Sequence, residues 1–336
     1  MIKQASDIDF VITWVDGSDP KWLQQKIKYS SEMEDFNGNT STVRYRDYGT
    51  LKYVFRGIEK FTPWVRKIYL VTADQCPEWL NLNNPKVELV SHSSIIEKKY
   101  LPLFNSNPIE WNIDKISGLS ENFVYFNDDM LLNKSLSPEY FFTDNLPCDF
   151  RLYTDNLPIE SFYSIPFTND TLMNNYINGK WPLSKKGLYS LKYGKQLLKE
   201  QLFIYQAKHR GIPGYIEPHG PQAYKKSSFK KAKEIWTKQI EENNTHRFRQ
   251  SNDVSIWLVR HLQLELGIFN PVKKKRNHVY TIRDIKELER DIRNSRSDML
   301  CINDADVSSE EEYINLISQI DEMLKRKYPN KSSFEK

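Results

Sequence analysis

Three short apolar runs in this chain each end on acidic residues. Asp9–Val15 (DFVITWV) leads into Asp16-Gly17, Asn122–Phe126 (NFVYF) into Asn127-Asp128-Asp129, and Met299–Ile302 (MLCI) into Asn303-Asp304-Ala305-Asp306. Brief runs rich in β-branched and aromatic residues read as strands buried on both faces, which belong to parallel sheets covered by helices. Lys67–Thr72 (KIYLVT) and Val87–Val90 (VELV) add two more. Between the first strand and these, Leu51, Val54, Phe55, Ile58 and Phe61 recur at helical spacing, and Pro63 follows as a stop. Open α/β sheets bind ligands beyond the carboxyl ends of their strands, so polar groups placed there are the first candidates for chemistry.

The expected fold class is therefore α/β, a mainly parallel Rossmann-like sheet flanked by helices. Its 336 residues suit one large domain with an insertion, or two domains. Residues 150–245 lose the alternation and read as a mostly helical, basic insertion, with six Lys and one Glu between 221 and 240. Asn252–Leu266 reads as a helix capped by Ser251 or Asn252. Near the end, Ser308 with Glu311, or Ser309 with Glu312, makes a capping box for a helix carrying Tyr313, Leu316, Ile317, Ile320 and Leu324. Residues 7–330 are expected to form a single domain, with 331–336 as a tail.

Composition mainly excludes. Only 12 Gly are present and no GxGxxG or GxxxxGK[ST] occurs, so a bound phosphate must be met by Arg or Lys, a metal or a helix N-terminus. HExxH and GxSxG are absent, and the six His lack metal-ligand spacing. A net charge of +4 argues against a dedicated nucleic-acid binder. Three scattered Cys fit a reducing compartment. The N-terminal residues lack the apolar core of a signal peptide, and no run reaches the roughly 20 apolar residues of a membrane span. The expectation is a soluble, cytoplasmic protein. The aromatics (Phe10, Phe55, Tyr69, Phe123, Tyr125) sit mostly in strands and helix faces, so core is their default.

The candidate residues each carry two readings. Asp128 and Asp129 are adjacent carboxylates at a strand end, either ligands of a hard cation such as Mg²⁺ or a simple turn or cap. Asp304 shares the strand-then-acid form, and its competing reading is the start of a capped helix. Asp16 in Asp16-Gly17-Ser18-Asp19-Pro20 reads as a turn. Arg44, Arg46 and Asp47 put two guanidiniums suited to phosphate oxygens before a helix, or form a surface pair. His219, between turn residues in Pro218-His219-Gly220-Pro221, is a positioned base or a structural loop His. Arg249, in Arg249-Gln250-Ser251-Asn252-Asp253, lies at the N-terminus of the expected helix, for an anion or for plain capping. Trp14 packs beside a nucleotide base or in the core.

Taken together, these segments resemble the Stealth family of sugar-phosphate transferases. The resemblance rests on IDFVITWVDGSDP (8–20), on a long block from Arg44 to His92 resuming at IEWNIDKISGLSENFVYFNDDMLL (109–132), on PHGPQAYKKS (218–227) extending to FRQSND (248–253), and on CINDADVSS (301–309). Residues of about 145–215 match no block and are the expected acceptor region.

The resemblance implies a GT-A-like site and a UDP-sugar donor. An acceptor glycan hydroxyl attacks the phosphorus next to the donor sugar, GlcNAc-1-phosphate or another hexose-1-phosphate is transferred, and UMP leaves, in capsular or cell-surface polysaccharide synthesis. It assigns Asp128 and Asp129 to Mg²⁺ or Mn²⁺, His219 to the base, and Arg249 to the phosphoryl oxygens. Asp304 either binds metal or orients His219, and Trp14, Asp16, Arg44, Arg46 and Asp47 face the donor. A metal-dependent glycosyltransferase releasing UDP and a non-catalytic carbohydrate-binding protein are the alternatives. Peripheral contact with a membrane or the growing polymer is expected through the basic residues 221–240.

Overall fold

The computed structural model describes residues 7–30, 45–156, 164–274 and 277–336. Its centre is a five-stranded sheet in the order β3-β2-β1-β4-β8, built from β1 (Ile8–Thr13), β2 (Ile68–Thr72), β3 (Val87–Ser91), β4 (Asn122–Asn127) and β8 (Gln222–Lys225). The first four are parallel, and β8 runs antiparallel on the edge of β4. β5 (Met130–Leu132), β10 (Asn277–Thr281) and β11 (Met299–Asn303) make a second sheet; β6 (Phe142–Thr143), β7 (Leu146–Asp149) and β9 (Asn270–Pro271) make a third. The expected mainly parallel α/β architecture is the observed one.

Alternation along the strands divides the interior in two. Phe10, Ile12, Val124 and Phe126 enter one core, under the helices Leu51–Phe61 and Glu310–Lys327. Val11, Phe123 and Tyr125 enter the other, with Trp111, Phe229 and Leu262. A strand apolar on both faces in this way has no solvent side, which is why β1 and β4 read as unbroken apolar runs. A polar exception is Asp9, fully buried in β1, whose carboxylate takes two N–H groups of the Arg66 guanidinium and the Ser120 N–H.

Three expectations are corrected and one alternative is resolved. The expected helical insertion is helical over Ser164–Ile177 and Gln196–His209, but residues 222–225 inside it are the fifth strand of the central sheet. The helix expected from Asn252 starts at Trp257. Outside side chains take the preceding backbone instead: Val254 N–H donates to Asn243, Ser255 N–H to Asn169, and the Trp111 indole donates to the Val254 carbonyl. Residues 331–336 are no tail, because Phe334 is buried against Phe55 and Glu335 pairs with Arg56. Of the two capping boxes, Ser309 with Glu312 forms: the Ser309 hydroxyl accepts the Glu312 N–H. Among the described residues no helix is long and apolar enough to cross a membrane.

Candidate active site

The carboxyl ends of β1, β4 and β11 meet, and the segment 45–50 closes over them. β1 ends on Trp14, Val15 and Asp16. Asp16 makes a tight turn, accepting the Ser18 N–H and hydroxyl at 2.8 and 2.6 Å, and its backbone is clamped on both sides by the Gln75 amide. Gly17 is required here by close approach. A Cβ would stand 2.0 Å from the Tyr45 carbonyl oxygen, so only glycine lets residues 45–50 pass this close to the strand end.

That passage positions Asp47 and Arg46. Asp47 accepts the Gly49 N–H at 2.7 Å and the Trp14 indole N–H at 3.1 Å. Trp14 is therefore a buried core residue that reaches the site through Asp47. Burial, with Asp16 nearby, raises the Asp47 carboxyl above its ordinary value. Arg46 lies 4.5 Å over the Tyr313 ring and 3.6 Å from the Asp304 carboxylate. Asp304 thus pairs with Arg46 rather than with His219. Arg44 lies outside the described residues.

Asp128 and Asp129 occupy the turn from β4 to β5. Their backbone is held on both sides, with the Asp128 carbonyl accepting the Thr50 hydroxyl at 3.0 Å and the Asp129 carbonyl accepting the Ile302 N–H at 3.1 Å. The Tyr48 hydroxyl donates to the Ile302 carbonyl beside them. Burial, then Asp129 and Asp47, push the Asp128 carboxyl well above the usual carboxylate range. Burial pushes Asp129 up to about 6, against a hydrogen bond from Cys301. One Asp129 oxygen is buried without any hydrogen-bond donor. Two half-buried carboxylates, desolvated by their surroundings and with no cation in ion-pair reach among the described residues, are costly unless something positive meets them. Oxygen-only donors of this kind fit a hard divalent ion. No group of three or more His, Cys, Asp and Glu is gathered around a metal position among the described residues, so such an ion would take its other ligands from substrate and water.

Arg249 belongs to a neighbouring cluster under the opposite face of the sheet. Its guanidinium donates to Ser106 at 3.3 Å and acts electrostatically on Glu110. Glu110, raised by burial, accepts from Tyr125 and Ser106, and the Tyr125 hydroxyl is 2.8 Å from that of Thr13. Thr13 and Asn127 are register partners, so this chain of polar groups ends at the strand ends that carry the Asp pair. The expected seat of Arg249 on a helix N-terminus is replaced by this one. Buried Asp253 organises the segment, accepting from Asn105, Asn107 and His246 at 2.7–2.9 Å.

His219 is exposed in the loop before β8. β8 pairs Gln222 with Tyr125 and runs antiparallel to β4, which puts the loop at the carboxyl end of β4. The loop is anchored from below. Glu217 accepts from His261 at 2.6 Å and from Arg260 at 3.2 Å, and Arg260 also holds the Ile216 carbonyl. Glu110, Tyr125, Thr13, Cys301 and Tyr48 were not singled out from the sequence. Tyr125 and Cys301, polar atoms inside apolar runs that end on the acids, are the two that carried a signal.

Three family models match this chain: Stealth protein conserved region 1 at residues 6–34, conserved region 2 at 44–149 and conserved region 3 at 218–261. These regions carry Trp14, Asp16, Asp47, Asp128, Asp129, His219 and Arg249. Along its length the chain is 40% identical to the exopolysaccharide phosphotransferase cps2G of Lactiplantibacillus plantarum, over 98% of this chain and 96% of that one. It is 36% identical to the capsular polysaccharide phosphotransferase WcwK of Streptococcus pneumoniae, over the whole of both. Among solved structures it aligns with the galactosyltransferase LgtC at a TM-score of 0.38 and 12% identity, covering 92% of this chain and 95% of that one, too distant to bear on mechanism. With three of its conserved regions present in order and full-length relatives at this identity, the chain belongs to the Stealth family of phosphotransferases.

Proposed function

We propose that this enzyme transfers a sugar-1-phosphate, such as GlcNAc-1-phosphate or another hexose-1-phosphate, from a UDP-sugar to a hydroxyl of a glycan acceptor in capsular or exopolysaccharide synthesis. The observation that carries the proposal is the half-buried, desolvated and cation-poor Asp128–Asp129 pair at the strand ends, beside Arg46 and Asp304. The names of the full-length relatives supply the substrate class. Asp128 and Asp129 would hold Mg²⁺ or Mn²⁺, whose charge offsets that of the donor diphosphate. Asp47 and Asp16 fix the strand-end turn against which the donor lies. Arg46, drawn toward the site by Asp304, offers its fork to phosphate oxygens.

His219 accepts the acceptor hydroxyl proton as the oxygen attacks the phosphorus bearing the sugar. The new P–O bond forms as the bond to UMP breaks, the sugar–oxygen bond stays intact, and UMP leaves. Arg249 stabilises the phosphoryl oxygens while charge redistributes. Incubating the protein with a panel of nucleotide-sugars, Mg²⁺ or Mn²⁺ and a short glycan acceptor tests the reading. UMP with a phosphodiester-linked product supports it; UDP with a glycosidic product overturns it in favour of glycosyl transfer.

A further inference from the structure

The helix Gln196–His209 is built inside out. Its inward stripe is Glu200, Ile204 and Ala207, and Glu200 is buried, its carboxylate accepting the Tyr153 N–H at 2.9 Å. Leu198, Leu202 and Tyr205 fall at the spacing that normally faces a core, yet they are 78, 76 and 66% exposed. Leu191, in the turn leading into the helix, is 88% exposed, and Tyr189 just before it is 53% exposed. Large apolar side chains left in water singly are ordinary; a contiguous row of them marks a contact surface.

The charges around this row have one sign. Residues 164–211 contain eight Lys and Arg and two acids. Both acids are buried, Asp170 beneath Asn156 and Glu200 as above. Lys192, Lys195, Lys199, Lys208 and Arg210 are exposed along the same stretch. The outer surface of this region therefore presents apolar side chains and cations with no exposed carboxylate.

We propose that this face is a docking site for an anionic lipid surface. Leu191, Leu198, Leu202 and Tyr205 enter the boundary between headgroups and acyl chains, and the flanking lysines meet the lipid phosphates. Of the available occupants, a lipid surface alone answers both features. A second copy of the same face would oppose cation to cation. An anionic polysaccharide would meet the lysines and leave the leucines wet. Residues 221–240 carry no such apolar row. There Phe229, Ala232, Trp236 and Ile240 turn inward, and Lys233 pairs with Asp114, so that stretch offers no apolar face to insert. The site lies in the part of the chain between conserved regions 2 and 3, and it does not depend on the reaction proposed above.

Co-sedimentation of the full chain with vesicles tests it. Vesicles of phosphatidylcholine alone are compared with vesicles containing about a third phosphatidylglycerol, at low and high salt. The wild-type chain is expected to pellet with the anionic vesicles and at least tenfold less with the neutral ones, with binding weakened but not abolished by salt. Leu198→Ser/Leu202→Ser and Lys195→Glu/Lys199→Glu are each expected to lower vesicle affinity at least tenfold. All four positions are exposed, and unchanged thermal unfolding confirms that the fold is intact. Failure of the wild-type chain to pellet with anionic vesicles overturns the proposal, as does pelleting that neither variant reduces. A doubled mass in light scattering that Leu198→Ser/Leu202→Ser abolishes, without vesicle binding, overturns it in favour of self-association. Binding of soluble anionic polysaccharide that the lysine variant alone abolishes, again without vesicle binding, overturns it in favour of a polymer contact.

Discussion

Two sets of desolvated carboxylates in this molecule are handled in opposite ways. Around β7 and the helix Trp257–Glu265, Asp149, Glu217 and Glu265 each have a cation. Arg260 meets both oxygens of Asp149 at 2.8 and 3.0 Å and reaches Glu217 at 3.2 Å. Arg151 pairs with Glu265, whose other oxygen accepts the Tyr153 and Tyr215 hydroxyls at 2.9 and 3.0 Å. At the strand ends, among the described residues, Asp47, Asp128, Asp129 and Asp304 share one nearby guanidinium, that of Arg46, 3.6 Å from one of them. Desolvation acts on both sets, but only the first is compensated within the fold. A balanced buried network is architecture. Unbalanced acids, raised in pKa by burial and each other, are the pattern of a site kept ready for a ligand.

The sharpest way to break this contrast is to remove one acid from the unbalanced set. Asp128→Ala is expected to lower turnover at least about 10³-fold, as loss of a metal-holding carboxylate would, while the denaturation midpoint stays equal or rises because a repelled, desolvated carboxyl is gone. Steady-state kinetics with a denaturant titration checks both; turnover within about tenfold of wild type removes the pair from the mechanism. His219 bridges the two sets by position, since its loop lies at the carboxyl end of β4 but hangs from Glu217. His219→Ala is expected to cost roughly 10²–10⁴ in turnover with donor KM little changed and stability unaltered, since the side chain is exposed.

Removing a cation from the balanced set should do the reverse. Arg260→Ala leaves Asp149 and Glu217 buried without their partner, and about 3–5 kcal/mol of stability should go. Activity should then fall through loss of folded protein and a loosened His219 loop, which chemical denaturation separates from a kinetic defect. An Arg260→Ala protein as stable as wild type would show that the ion pairs contribute nothing to the architecture.

The sequence made one of these regions legible and hid the other. Acids that follow apolar runs are visible as a local pattern, because the strand and its terminal residue are adjacent in the chain. Asp16, Asp128 and Asp304 could be placed together for that reason. Arg260, His261 and Glu265 look like the solvent face of an amphipathic helix, beside Leu258, Val259 and Leu262. They are buried because the partners that cover them, Asp149, Glu217 and Tyr215, come from 43 to 111 positions earlier in the chain. The delayed helix start and the strand at 222–225 were hidden in the same way, by contacts with Asn243, Asn169 and β4 that no local window contains.

Asp170 tests the balanced side at one imperfect point. Burial raises its carboxyl to about 7, opposed by His261 and the Asn156 amide, and one of its oxygens has no donor. Because its folded value lies above the unfolded 3.8, the folded chain holds the proton more tightly. The stabilisation from this group is full below pH 3.8, is lost as pH rises from 3.8 to about 7, and is absent above that. The span corresponds to at most about 4 kcal/mol. Asp170→Asn is expected to leave stability near wild type at pH 4 and to raise it progressively toward pH 8. A difference that does not grow with pH would place the titration elsewhere.

The smallest effects come from two phenols, one in each set. The Tyr215 hydroxyl donates to Glu265, and the Tyr48 hydroxyl to the Ile302 carbonyl, in the strand whose Ile302 N–H holds the Asp129 backbone. Replacing either by Phe removes one buried hydrogen bond, about 1 kcal/mol, more where a charged acceptor is left short. Tyr215→Phe should therefore be the more destabilising, since Glu265 keeps Tyr153 and Arg151 but loses a donor to a carboxylate. Its kcat should not move. Tyr48→Phe should cost less stability and more activity, a few-fold in kcat, because it frees the strand end that fixes the Asp128–Asp129 turn. Paired measurements of midpoint and kcat decide the matter: equal kcat in the two variants would mean that the turn is held without Tyr48, and that Thr50 and the Ile302 N–H alone keep the unbalanced carboxylates in place.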